Sequence, residues 1–128
     1  MQGLWGVMTK PSEDLELDIV AIAKAKSDPE FEETGWITFY LTGDPESHEK
    51  MKPSLMAMGA VNLDGAEGGT VYAKLPVSID ELSITRCVSK TGVLAAQFGI
   101  QIDLVDLDSS KDVKTSKFYT LWTSGVDQ

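Results

Sequence analysis

From residue 94 to residue 104, apolar residues occupy every second position of the chain. They alternate with residues that are small or polar. A period of two is typical of a β-strand that buries one face and exposes the other. We therefore expect a long strand here, ending near Leu107, with a bend or bulge at Gly99.

Other segments predict further strands of a sheet. The clearest is residues 36–42, whose β-branched and aromatic side chains on both faces predict a central strand. Alternation over residues 15–26 also predicts a strand, although its alanine-rich end is compatible with a helix. We expect the remaining strands within residues 3–8, 71–77, 82–88 and 113–123.

One short helix is predicted between the third and fourth strands. Asp44 suits a helix N-cap, Pro45 suits the first helical position, and Glu46 places an acid in the first turn. Because the residue before a proline avoids the α conformation, we expect this helix to end near residue 52, before Pro53.

About seven strands with one short helix near residues 45–52 predict a mainly β fold. We expect a single β-rich domain over residues 1–128, folded as an antiparallel β-sandwich or a small barrel, with a frayed tail at residues 124–128. The alternative is an α+β fold in which the helix packs on one sheet. A chain of 128 residues is long enough to bury such a core without disulfides.

The chain has a formal net charge of −9, from 20 acidic and 11 basic residues. Partners that are themselves anionic, such as nucleic acids and acidic membrane surfaces, are disfavoured by this charge. The sequence also lacks a run of about 18 apolar residues that would span a membrane, and its start does not resemble a secretory leader. We therefore expect a soluble, cytoplasmic protein without a membrane partner.

Acidic residues are concentrated between residues 27 and 49, a segment without lysine or arginine. Such a segment is either a solvated face that keeps the chain soluble or a surface that docks on a basic protein. Apolar residues on both faces of two predicted strands also suggest contact between copies, so we expect a homo-oligomer. The candidate partner surface consists of Asp28, Glu30, Glu32, Glu33, Asp44, Glu46 and Glu49.

Residues that could perform chemistry do not form a recognisable motif. His48 and Cys87 are the single histidine and cysteine, and a zinc site needs three or four ligands. Residues 106–112 alternate oxygen side chains as calcium loops do, but Lys111 stands where glycine is required. The glycine-rich residues 65–70 lack the strand-then-helix context of a phosphate loop. We predict no catalytic residue, metal or cofactor, and hence no enzyme.

The predicted function is a non-enzymatic protein–protein interaction or assembly module that uses its acidic surface. One alternative is a small acidic inhibitor that imitates nucleic acid and blocks a basic site on another protein. A second alternative is a barrel that binds single-stranded nucleic acid or a small ligand. In that case Phe118 and Trp122, placed on one strand face by their spacing, would stack on the bases.

Overall fold

The computed structural model describes residues 15–61, 65–66, 70–112 and 117–124. These residues form three helices, which are α1 (Ile19–Ser27), α2 (Pro45–Ala57) and α3 (Glu81–Gln97). They also form five strands, which are β1 (Thr34–Thr42), β2 (Gly65–Ala66), β3 (Thr70–Ser78), β4 (Gln101–Asp108) and β5 (Phe118–Thr123).

The five strands form one antiparallel sheet in the order β2-β3-β1-β4-β5. Helix α2 connects β1 to β2, and helix α3 connects β3 to β4. In both connections one other strand lies between the two connected strands, which is the split βαβ arrangement used twice. The described residues therefore form an open sheet with helices. This is the α+β alternative rather than the expected seven-stranded sandwich or barrel.

The apolar core lies on one face of the sheet. In β1, Ile37, Phe39 and Leu41 are fully buried and alternate with Thr38 and Tyr40 on the other face. The helices contribute to this same core, so they cover the core face. Their core residues include Ala21, Ile22, Ala25, Met51, Leu55, Ile84, Val88 and Ala95. We call the opposite face, where Thr38 and Tyr40 lie, the open face.

The prediction of a strand over residues 94–104 is wrong in its first half. Residues 94–97 are the last turn of α3, and the strand begins at Gln101. The buried residues Ile84, Val88, Thr91 and Ala95 are three or four positions apart, which is the period of a helix face. Alternation over four residues is therefore compatible with the end of a helix.

Gly99 ends α3 and does not form a bulge. Its φ of 69° is a left-handed conformation that favours glycine. The N–H of Ile100 donates to Ala95 O at 2.9 Å, and the N–H of Gly99 donates to Ala96 O at 3.2 Å. This pair of bonds is the Schellman motif that satisfies terminal helix carbonyls.

Two more predicted strands are helical. Residues 19–26 belong to α1, and residues 82–88 belong to α3. Asp18 caps α1 by accepting hydrogen bonds from the N–H groups of Val20 and Ala21. Asp80 caps α3 by accepting from the N–H of Ser83 at 2.8 Å. These caps favour a helix in segments whose apolar pattern is compatible with either a helix or a strand.

The strands predicted at residues 36–42 and 71–77 are confirmed as parts of β1 and β3. The helix that begins after Asp44 is also confirmed, but it continues through Pro53 to Ala57. Strand β5 confirms the described part of the last predicted strand. The strand expected at residues 3–8, residues 113–116 and the tail after residue 124 lie outside the described residues.

None of the helices in the described ranges combines the length and the apolar character needed to cross a bilayer.

Candidate functional site

The open face carries a buried network of polar side chains. Lys74 of β3, Thr38 of β1, and Asp106 and Asp108 of β4 are all buried. Lys74 Nζ donates to Thr38 Oγ1 and to Asp108 Oδ2, both at 2.6 Å. The Thr38 hydroxyl donates to the same Asp108 carboxylate. Because a buried charge is tolerated only when it is paired and hydrogen-bonded, these contacts allow Lys74 to remain inside the protein.

The register of the sheet brings these groups together. Lys74 lies directly opposite Thr38, and Thr38 lies directly opposite Asp106. Residues that oppose each other in antiparallel strands point to the same face. Asp108 is two residues beyond Asp106, so it points to that face as well.

Asp106 differs from Asp108 because its hydrogen-bond donors carry no charge. It accepts from the Thr120 hydroxyl at 2.8 Å and from the Tyr40 hydroxyl at 3.5 Å. Burial raises the pKa of Asp106 above its ordinary value, and the nearby Asp108 carboxylate raises it further. Burial and the charge of Asp106 also raise the pKa of Tyr40 to about 12.

Aromatic side chains surround this network. The rings of Tyr40 and Tyr72 pack edge to face with centroids 4.7 Å apart. Tyr72 is 41% exposed, and Phe118, which lies opposite Asp108, is 58% exposed. The open face therefore places accessible aromatic surface beside carboxylates, a combination that suits cationic groups.

The predicted acidic partner surface is divided by β1. Glu30, Glu32 and Glu33, here called the loop acids, are exposed in the loop before β1. Asp44, Glu46 and Glu49, here called the helix acids, are exposed after it. A nine-residue strand separates the two groups, and this corresponds to about 27 Å at about 3.4 Å per residue. One small partner site cannot contact both groups.

Two of the helix acids stabilise α2. Asp44 caps the helix by accepting from the N–H of Ser47 at 2.8 Å, and this bond lowers the pKa of Asp44. Glu46 lies 3.4 Å from Lys50 in an ion pair one turn apart. Asp44 and Glu46 therefore have a structural role within the helix.

Asp28 is buried, unlike the other six predicted surface acids. Its carboxylate pairs with Lys117 Nζ at 2.6 Å and accepts from the Tyr119 hydroxyl at 2.7 Å. It also accepts from the N–H of Glu30 at 2.9 Å. The bond to Lys117 contributes most to a pKa for Asp28 of about 2. Asp28 thus fastens the loop after α1 to β5, and its charge is not presented to a partner.

The two candidate stacking residues do not share a face of β5. Phe118 opposes Asp108 on the open face, whereas Trp122 opposes Val105 and packs against the core. The register shifts between Val105 and Asp106, and such an irregularity interrupts the regular alternation of a strand. The spacing of the two rings in the sequence therefore does not predict their orientation.

His48 and Cys87 lie on α2 and α3, and both are half-buried. Burial raises the pKa of the Cys87 thiol to about 11, so little of the nucleophilic thiolate is present at neutral pH. In the parts of the chain that are described, no group of three or more histidine, cysteine or acidic side chains could hold a metal ion. Asp106 and Asp108, from the calcium-like segment, belong to the network around Lys74 instead.

Thr38, Tyr40 and Lys74 are not among the residues predicted from the sequence. The available signal was a charged residue inside an apolar strand, as Lys74 is between Ala73 and Leu75. Such a residue indicates a buried partner, but the partners lie on other strands. Only the pairing register of the sheet shows which residues these partners are.

The chain matches no protein-family model, no curated protein and no solved structure. The geometry of the open face and of the loop acids is therefore the basis for a functional proposal.

Proposed function

We propose that this chain is a non-enzymatic protein-binding module that recognises a basic partner protein. The observation that carries the proposal is the position of the loop acids, whose three side chains are exposed in one short loop. By contrast, the buried carboxylates of Asp28 and Asp108 are paired with Lys117 and Lys74. A partner can therefore contact the loop acids without breaking an internal ion pair.

The surroundings of the loop carry charges of both signs, because Lys117 interacts with Glu30 and Lys26 interacts with Asp80. The N–H of Ile79 donates to Glu33 O at 2.9 Å, so the start of α3 lies beside the loop. Glu81, in the first turn of α3, is exposed. The net charge of −9 attracts basic surfaces and accelerates their association.

Two potentially reactive groups of the described residues, Lys74 and Cys87, favour a binding role over catalysis. Lys74 is bonded to Asp108, and its side chain is only 6% exposed. The raised pKa of Cys87 leaves its thiol protonated. A nucleophile requires activation and access, and neither group combines the two.

Two matched charge reversals test this proposal. One is the double variant Glu30→Lys/Glu32→Lys in the loop acids, and the other is Glu46→Lys/Glu49→Lys in the helix acids. Both change the net charge equally. Tagged wild-type protein and both variants are used to capture proteins from a cell lysate at about 0.1 M salt. At this salt concentration, interactions between exposed charges more than about 10 Å apart are largely screened.

We expect a basic protein to be captured by the wild type and the helix-acid variant, but not by the loop-acid variant. Captured protein should be released as salt is raised to about 1 M, because the Debye length then falls to about 3 Å. Equal capture by the two variants, or capture that does not depend on salt, would overturn the proposal. The unfolding midpoint of each variant shows whether it is folded.

A further inference from the structure

The buried network of the open face has an imbalance of charge. Among the buried residues of this face in the described part of the chain, two are carboxylates, Asp106 and Asp108, and one is an ammonium, Lys74. Lys74 is bonded to Asp108 and Thr38. Asp106 receives only neutral donors. An ionised carboxylate in such surroundings is stabilised by an additional cation.

The surface beside Asp106 is accessible. Thr120 lies opposite Asp106, donates to its Oδ1 at 2.8 Å, and is itself exposed. Asp106 itself is only 6% exposed, so its carboxylate is buried beside this exposed side chain. A carboxylate accepts about four hydrogen bonds, and the two hydroxyls of Thr120 and Tyr40 leave acceptor capacity for a cationic donor.

We propose that the open face, at Asp106, Tyr40 and Tyr72, binds an arginine side chain of the basic partner. This inference rests on the proposed function and names the contact that the partner makes. A guanidinium is planar, stacks on aromatic rings and forms charge-assisted hydrogen bonds with carboxylates. The exposed ring of Tyr72 beside Tyr40, together with Asp106, supplies both kinds of contact.

A second copy of the chain fits this face less well. Two copies that met through their open faces would bring their Asp106 carboxylates towards each other, and like charges without counter-ions oppose association. The negative charge of the chain favours a basic segment instead.

The loop acids are close enough for one basic segment to contact both regions. The loop ends at Glu33, and β1 continues from Thr34 to Thr38 on the open face. The four residue steps from Thr34 to Thr38 span about 14 Å at about 3.4 Å per step. Thr38 is opposite Asp106, so an extended basic peptide of a few residues reaches from the loop acids to the network.

Calorimetry with hexa-arginine and hexa-lysine tests the proposal on the full chain. The key variant is Asp106→Asn, and its control is Glu49→Gln, which removes the same charge from the exposed surface of α2. We expect hexa-arginine to bind the wild type at least fivefold more tightly than hexa-lysine. Asp106→Asn should weaken hexa-arginine binding at least tenfold, whereas Glu49→Gln should change it less than twofold.

Tyr72→Ala tests the aromatic contact independently, with Leu82→Ala as its control. Leu82 is 60% exposed but lies on α3, in the layer opposite the open face. We expect Tyr72→Ala to weaken hexa-arginine binding at least threefold and Leu82→Ala to leave it unchanged. If Asp106→Asn lowers the unfolding midpoint, the effect of Tyr72→Ala on hexa-arginine binding decides whether the open face binds arginine.

Three outcomes would overturn this inference. They are equal effects of Asp106→Asn and Glu49→Gln, equal affinity for the two peptides, and a dimer by light scattering that Tyr72→Ala dissociates. Failure of the proposed function looks different, since it would appear as lysate capture that does not depend on Glu30 and Glu32. The peptide measurement remains informative in that case, because it does not require the cellular partner.

Discussion

Lys74 and Asp108 form an ion pair at 2.6 Å although another strand, β1, lies between theirs. The lysine side chain crosses β1 at Thr38, whose Oγ1 also accepts from Lys74 Nζ at 2.6 Å. Both charged residues are almost completely buried. The pair therefore connects three strands of the sheet by side chains in addition to the backbone ladder.

Replacing Lys74 by methionine should destabilise the protein strongly. Methionine keeps the unbranched stem of the side chain but removes the ammonium, so Asp108 is left buried without a counter-ion, which costs about 3–5 kcal/mol in comparable sites. The free energy of unfolding in urea measures the loss. Lys50→Met is the control, because Lys50 belongs to an exposed pair with Glu46 and should cost less than about 0.5 kcal/mol.

The double variant Lys74→Met/Asp108→Leu separates the buried charge from the packing. Since no uncompensated charge from this pair remains, we expect it to be more stable than Lys74→Met alone. A double variant that is less stable than the single variant would contradict this explanation of the network.

Asp28→Asn should remove a pH-dependent contribution to stability. The pKa of Asp28 is lowered from 3.8 to about 2, first by Lys117. Because the folded pKa is below the unfolded one, this contribution is fully present above about pH 4 and is lost as the pH falls through about 2. The wild type should therefore be more stable than Asp28→Asn at pH 7, and the difference should shrink between about pH 4 and pH 2.

Urea unfolding at pH 7, 4, 3 and 2 measures this difference. Glu32→Gln, an exposed carboxyl in the same loop, is the control and should change stability by less than about 0.5 kcal/mol at pH 7. A difference between the wild type and Asp28→Asn that stayed constant over this pH range would show that the Asp28 carboxylate is not responsible.

An element is predicted correctly where its local sequence signals all indicate the same structure. In β1, β-branched and aromatic residues lie between two glycines, Gly35 and Gly43, and the strand is present as expected. In α2, the Asp44 cap and the proline that follows it mark the start of the helix. Each of these signals acts within a few residues, so it is visible in the sequence.

Helix α3 is not predicted, because short apolar alternation at residues 82–88 and 94–98 favours strands. The structure shows one helix instead, which Asp80 caps and Gly99 ends. Ile84, Val88 and Ala95 lie on one face of the helix and are buried in the core. Tertiary burial therefore decides between the helical period and the strand period.

The candidate site depends on the register of the sheet and not on local spacing. Asp106 falls within the strand expected to end near Leu107 and within the calcium-like segment 106–112, but neither pattern shows that it lies opposite Thr38. Lys74 and Thr38 lie on different strands, and no motif connects them in the sequence. The exposed loop acids, in contrast, could be predicted, because their exposure follows from a charged loop between α1 and β1.

Gly99 should tolerate asparagine better than alanine. Its φ of 69° strains any residue with a Cβ, but a Cβ at this position would meet no atom within 4 Å. Gly99→Ala should therefore lower the free energy of unfolding by about 1–2 kcal/mol through the backbone alone. Gly99→Asn should cost less, because asparagine adopts this conformation at helix ends more readily. Thermal unfolding of the two variants ranks them, and an equal loss would indicate a steric cause.

The Cys87 thiol should react slowly in the folded protein. Burial raises its pKa from 9.0 to about 11, so the thiolate fraction at neutral pH falls about a hundredfold. With a chromogenic disulfide reagent at pH 7.5, we expect the folded chain to react at least tenfold more slowly than the same chain in urea. The rate should continue to rise above pH 9, where the rate of an ordinary thiol levels off.

Because the chain has one cysteine, the whole signal reports on this residue, and Cys87→Ser provides the blank. A folded protein that reacts as fast as the unfolded one would show that burial does not protect the thiol, and the non-enzymatic proposal would then lose one of its supports.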